Sequence, residues 1–219
     1  RNKIKGDVKS LISKSYDVTT KLGEIEKESI IQWYQDAYNS DGNQVEKTFY
    51  NLDGSIWFKY TYEYDENGNK AERIWYDSDG SFDGKETYEC NEEGNVVEEI
   101  YYNSDGSVKH KRTHEYEEGG NYWNCITYNS DGSIDKDTYE YDENGNKVDV
   151  SFNGKETYEC NEEGNVVEMT FYNSDGRVNS KITNEYDEEG DEEGNWTHRI
   201  IFNDGVATSL VEREFAYYD

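Results

Sequence analysis

FDGKETYECNEEGNVVEEIYYNSDG, residues 82–106, returns almost unchanged as FNGKETYECNEEGNVVEMTFYNSDG at residues 152–176. Around these two copies runs a looser repeat of turn signals, each ending in a glycine after Asp, Asn, Glu or Gly. The glycines are Gly42, Gly54, Gly68, Gly80, Gly94, Gly106, Gly120, Gly132 and Gly145. The first eight are spaced 12 and 14 residues apart in alternation, so a 26-residue unit holds two turns. A short fixed period marks a stack of like supersecondary units. Asp or Asn opens a type I turn, and the following Gly can take a positive φ. Each signal therefore predicts a tight hairpin loop. The eight to ten residues left between turns match the usual strand length. The chain has no proline to interrupt a ladder.

Both spacings are even and side chains alternate with a period of two along a strand. Even positions from 44 to 132 are thus expected to share one face, which would hold Tyr60, Ile74, Tyr88 and Ile100. Lys59, Thr61, Lys85 and Lys111 would fill the odd face. The even face is expected to pack and the odd face to stay largely wet.

Composition narrows the class. Hydrophobic residues make up 32% of the 219, against roughly 45–50% for ordinary globular domains when Gly is counted with the apolar set. Aromatic residues reach 15%, mostly tyrosine. Such a chain cannot fill a thick aliphatic core, and its regular Tyr, Ile, Val and Trp spacing argues against disorder. The net charge of −28 disfavours nucleic acid and anionic membrane surfaces, which are themselves negative. No apolar run approaches the 18 residues of a spanning helix. Cys90, Cys125 and Cys160 lack metal-ligand spacing, and Cys90 and Cys160 hold equivalent positions in distant copies, which disfavours a disulfide between them. The chain opens at Arg1 and its only Met is Met169, as expected of a trimmed or secreted product.

The repeat has flaws. The interval from Asp131 to Asn144 is one residue short, which predicts a bulge or parity slip near Asp135–Thr138. Residues 187–194, DEEGDEEG, double one turn and are expected to form a projecting loop. Residues 1–38 are less regular and suit an opening hairpin cap on a repeat domain of residues 39–219, with a short helix around Ile30–Tyr38 as the alternative.

Tyr64-Asp65-Glu66-Asn67-Gly68 and Tyr141-Asp142-Glu143-Asn144-Gly145 resemble the YD repeat of the Rhs and teneurin family, and Tyr186-Asp187-Glu188-Glu189-Gly190 matches in part. The resemblance covers most of the chain after residue 38. It implies antiparallel hairpins in a long sheet that, in the family, can spiral into a hollow shell. Two departures stand out. The family usually places Arg after the Gly, where only Arg177 does so here, and this chain looks too short to close a shell.

Several groups invite a chemical reading. Asp77-Ser78-Asp79-Gly80-Ser81 resembles part of a calcium loop but lacks the ligand count, so turn chemistry explains it better. Phe49, Trp75, Tyr101 and Phe171 each lie five residues before a turn Gly, with Trp57 expected opposite Phe49. Aromatic rings beside Lys, Asp and Glu suit glycan stacking or protein contact, and these five residues are the candidate ligand-binding set. Packing under the opening hairpin or a neighbouring molecule is the plainer role. His110 and His114 share a face about 13 Å apart, too far for one metal ion. No cofactor or metal is implied. Asn195-Trp196-Thr197 is a glycosylation sequon by pattern.

The sequence therefore predicts an all-β protein, an antiparallel β-hairpin repeat meander of about 16 strands forming an elongated, twisted, largely single-layer sheet. Its expected role is non-enzymatic: a secreted or surface-displayed bacterial protein for adhesion, assembly or ligand binding, without membrane insertion. Self-association through edge strands is the expected partner mode. A YD-repeat scaffold enclosing another polypeptide and a carbohydrate-binding module are the alternatives.

Overall fold

The computed structural model describes residues 4–116, 122–141, 147–151, 155–187 and 190–218. Gly120 and Gly145 lie outside these residues. The elements are all strands: β1 (Val8–Lys21), β2 (Glu24–Tyr38), β3 (Gln44–Tyr50), β4 (Ile56–Tyr64), β5 (Lys70–Asp77), β6 (Phe82–Cys90), β7 (Val96–Asn103) and β8 (Val108–Tyr116). There follow β9 (Tyr122–Asn129), β10 (Ile134–Tyr141), β11 (Lys147–Ser151), β12 (Lys155–Cys160), β13 (Val166–Tyr172), β14 (Val178–Tyr186), β15 (His198–Asn203) and β16 (Val206–Tyr217). Each pairs antiparallel with its chain neighbours, as the hairpin repeat dictates. Ile30–Tyr38 lies within β2 and so is strand rather than helix.

The meander returns on itself. β1 pairs with β2 on one side and with β16 on the other, from Val8↔Tyr217 to Asp17↔Ser209. The single layer is thereby rolled into a closed barrel rather than extended. Two expectations change with it. The chain is long enough to close, because sixteen up-and-down strands complete a ring without spiralling. The strands that an open sheet would leave as edges are paired with each other, so edge-to-edge self-association has no free template among the described strands.

The turns follow their chemistry. At the β3–β4 turn, Asn51 N–H donates to Ser55 O at 2.8 Å and Gly54 N–H to Asn51 O at 3.0 Å. Gly54 sits at φ 85°, where a side chain would be strained. Asp53 turns its carboxylate back on its own loop, accepting from Ser55 N–H at 2.9 Å and Ser55 Oγ at 2.6 Å. Asp79, Asp105 and Asp131 accept the equivalent serine N–H. The tyrosine that precedes an acidic residue at the turn signal, Asp in two cases and Glu in one, latches the opposite rim. Tyr64, Tyr116 and Tyr186 donate their hydroxyls to the carbonyls of Gln44, Val96 and Val166, each twenty residues back on the preceding strand.

The facial assignment is corrected by a bulge that the glycine spacing conceals. Tyr50 pairs with Ile56, but Phe49 pairs with Phe58, leaving Trp57 as an extra residue. The same shift leaves Ala71, Asp83, Val97 and Lys109 extra in the next four hairpins. A bulge sets two residues against one, and each one-residue offset moves the following side chains to the other face. Even positions on one strand therefore join odd positions on the next. Tyr60 and Tyr88 share the inner face with Phe49, Trp75 and Tyr101, whereas Ile74 and Ile100 lie outside with Thr61 and Lys85. Phe49 faces Phe58, not Trp57, and Trp57 is 58% exposed at the rim. The short interval after Asp131 removes the bulge instead of creating one: β9 and β10 pair in unbroken register from Tyr128↔Ile134 to Tyr122↔Glu140.

Most of the buried residues mark the inside, while Tyr16, Thr48 and Thr170 are buried on the outer face. Leu11, Ser13, Asp36, Glu86, His114, Cys125, Asn184 and Val211 are all buried and all fall on the inner face by register. The outer face repeats an ion-pair ladder with the same 26-residue period: Lys59–Glu46 at 3.1 Å, Lys85–Glu72 at 2.7 Å and Lys111–Glu98 at 2.5 Å. Lys181–Glu168 at 2.6 Å repeats it once more in the second copy.

Candidate functional site

The sixteen-strand ring is wider than the eight-strand barrels that side chains fill, so its inner wall lines a lumen. A continuous band of rings runs along that wall from β2 to β8. Tyr34 lies 5.7 Å from Phe49, and Phe49 stacks on Phe58 at 4.4 Å. Phe58 is 5.3 Å from Tyr60, and Tyr60 meets Trp75 edge-on at 6.1 Å. Trp75 reaches Tyr101 at 6.1 Å across β6, and Tyr101 stacks on His110 at 3.9 Å. All seven rings are half-buried, so each keeps part of its surface open to the lumen.

Gly84 makes the step across β6 possible. It pairs with Trp75 on one side and Asn103 on the other, and it carries no side chain to hold the two rings apart. A Cβ there would lie 2.6 Å from Tyr102 O, so the backbones approach too closely for any other residue. The gap forms part of a cavity of about 370 Å³ lined by Trp75, Gly84, Tyr101, Lys109 and His110.

Charged groups are interleaved with the rings. Arg73 Nη2 lies 2.6 Å from Glu86 Oε2, while its guanidinium sits 5.3 Å from the Tyr60 centroid and 4.9 Å from that of Trp75. Tyr88 also donates to Glu86, whose side chain is 1% exposed. Lys47 lies 3.4 Å from Asp36 and 3.5 Å from the Tyr34 centroid. Arg112 donates to Tyr101 Oη at 3.0 Å and stands 3.7 Å from Glu99. Burial raises the Tyr101 hydroxyl, helped by Glu86 and Glu99, so it remains a donor at any physiological pH.

His114 faces Cys125 across the β8–β9 ladder and lies 3.4 Å from Glu99. Burial favours the neutral ring, but hydrogen bonding to Cys125 and Glu99 and the Glu99 charge outweigh it and bring the pKa up to about 9. Burial likewise opposes the Glu99 carboxylate, yet His114, Arg112 and Tyr101 hold it below its usual range. A ring that is protonated at neutral pH has no lone pair with which to activate the thiol. The trio thus reads as a charge-paired part of the wall.

The sequence-derived residues are redistributed by the bulges. Phe49, Trp75 and Tyr101 are brought together, inside the barrel rather than on a wet outer face. Phe171 also points inward by register, opposite Glu156 and Ser180, but no ring contact joins it to the band among the described residues. Trp57 lies at the exposed rim and touches the band only through Phe58, edge-on at 4.6 Å. Tyr34, Phe58, Tyr60 and His110 were not expected here, because parity alone assigned Tyr60 and Phe58 to the opposite face from Trp75. Asn195 of the sequon is buried. Its amide donates to Lys5 O at 2.9 Å and Tyr217 Oη at 3.1 Å, so a glycan has no room there.

No family model matches the chain, and no curated protein sequence does. Among solved structures, a porin-like protein from Bacteroides uniformis is similar over 97% of this chain and 98% of its own, at 14% identity and a TM-score of 0.57. A second porin-like protein, from Bacteroides vulgatus, aligns over 96% and 98% at 11% identity with a TM-score of 0.38. The first likeness supports the barrel fold.

Proposed function

We propose that this barrel is a non-enzymatic binding protein of the bacterial cell envelope or exterior that takes an oligosaccharide along the ring band of its lumen. The observation that carries the reading is the uninterrupted run from Tyr34 to His110, flanked by fixed donors and acceptors. Pyranose faces are apolar and stack on rings, while their hydroxyl edges require groups such as Arg73, Arg112, Glu99 and the Tyr hydroxyls. The likeness to a bacterial porin-like barrel supports an envelope setting.

The outer wall supports water, not lipid, around the barrel. A spanning barrel presents an apolar band about 25 Å tall, whereas Lys–Glu pairs recur here along the outer face. The test is calorimetric titration with a panel of tri- to hexasaccharides. Saturable binding that weakens roughly 2- to 10-fold in each of Trp75→Ala and Tyr101→Ala is expected, from the 0.5–1.5 kcal/mol of a ring contact. Binding that ignores both substitutions would overturn the reading, as would the absence of binding across the panel.

A further inference from the structure

Arg213 stands at the head of the row that enters the ring band. It pairs with Ser13, Ser13 with Tyr34, and Tyr34 with Phe49. Arg199 faces Val211 on the same wall, one inward position from Arg213. The Arg213 guanidinium lies 4.0 Å from the Trp196 ring centroid and that of Arg199 lies 5.3 Å from it.

These two arginines differ from the others of the wall. Arg73 and Arg112 each have a carboxylate within ion-pair distance, but Arg199 and Arg213 have none among the described residues. Their Nε atoms and the Trp196 Nε1 are shielded from solvent and lack acceptors; Arg73 Nε shares that feature, so the missing carboxylate is what sets the pair apart. Asp36, whose charge reaches Arg213, is itself taken by Lys47 at 3.4 Å and Gln44 Nε2 at 2.6 Å. Burial and then the charge of Arg199 depress the Arg213 pKa, outweighing the opposing pull of Tyr34, Tyr38 and Asp36. Buried donors are ordinarily satisfied, and a guanidinium pair is suited to a planar oxyanion. In a chain of net charge −28, a cationic pair with no carboxylate at ion-pair distance among the described residues is a local reversal.

We infer that Arg199 and Arg213 bind the carboxylate of an acidic sugar, so that the ligand of the lumen is a uronic-acid oligosaccharide with its charged residue beside Trp196. This rests on the oligosaccharide reading above, and it adds the charge and the direction of the chain along the wall.

The test compares tri-galacturonic acid with its methyl ester, which is the same sugar without charge. Wild-type protein should bind the acid at least tenfold more tightly. Arg199→Gln/Arg213→Gln should abolish that preference while leaving ester affinity within twofold, and Trp75→Ala should weaken acid and ester alike. Circular dichroism establishes folding of the double variant, and Arg199→Lys, which keeps the charge but loses the planar fork, should lose part of the preference. Equal binding of acid and ester by wild type would overturn the inference, as would a preference that survives in the double variant. If neither trisaccharide binds but monomeric galacturonate raises the melting temperature only when both arginines are present, the anion site stands and the oligosaccharide reading falls. If galacturonate has no effect either, both fall.

Discussion

Arg73 is at an odd position and Glu86 at an even one, and only the bulge after Phe82 lets them meet. The pair therefore offers an energetic test of the inner face. The charges are in contact at 2.6 Å, with the Glu86 side chain 1% exposed and that of Arg73 26% exposed. Two unit charges about 4 Å apart attract by about 4 kcal/mol at an effective dielectric near 20. Partial solvation of Arg73, and the ring faces of Tyr60 and Trp75 that remain after Glu86 is removed, reduce the share belonging to the pair. A coupling of about 2 kcal/mol is expected from a cycle of Arg73→Met, Glu86→Gln and the double variant. Glu86→Gln alone should cost about 3 kcal/mol, because it strands a half-buried guanidinium. Urea unfolding with linear extrapolation supplies the four free energies. Coupling below about 0.5 kcal/mol, the range of additive and distant sites, would refute the shared face, since the sheet itself would then separate the two side chains.

Other outcomes follow from the same wall. Gly84→Ala should lower stability by about 1–3 kcal/mol, because its Cβ meets backbone that cannot swing away; a neutral effect in thermal melts would mean that the β6–β7 approach is looser. His114 has a folded pKa of about 9 against an ordinary value near 6.5, so its contribution is fully present below about pH 6.5 and is lost as pH rises through 9. Wild type should thus lose about 2–3 kcal/mol more than His114→Gln between pH 6 and pH 10 in urea melts, and parallel profiles would remove His114 from that role. Asn195→Ala severs bonds to Lys5, Asp191 and Tyr217; faster proteolysis near Lys5 at unchanged barrel circular dichroism is the expected signature, and unchanged cleavage would contradict it.

The turns and strands were readable because their chemistry is local. Asn51, Asp53, Gly54 and Ser55 supply the bonds of one five-residue loop, and the repeat copies it along the chain. The inner face was not readable, because the bulge has no composition of its own. Trp57, Ala71, Asp83, Val97 and Lys109 share a position and nothing else. They are invisible to a count of turn glycines, which stays even whether or not the residue bulges. Closure was hidden for a different reason. The Val8–Tyr217 pairing depends on the summed twist and stagger of all sixteen strands, and no local signal encodes that sum. The ring band was therefore half seen: Phe49, Trp75 and Tyr101 stood out by their spacing, whereas Tyr60 and Phe58 needed the correct face. Arg199 and Arg213 had no sequence signal, since their distinction is the carboxylate they lack.

Closure between the first and last strands is what gives the rings a lumen to line, and a cross-strand disulfide tests it directly. Lys14 and Glu212 are outward-facing register partners on β1 and β16. Antiparallel partners place Cα atoms about 4.5–5.5 Å apart, within the disulfide range. In a Cys90→Ser, Cys125→Ala, Cys160→Ser background, Lys14→Cys/Glu212→Cys should oxidise to a single intramolecular disulfide in monomeric protein, seen by intact mass and non-reducing electrophoresis. Free thiols in the folded monomer, or links that form only between molecules, would contradict the closed barrel.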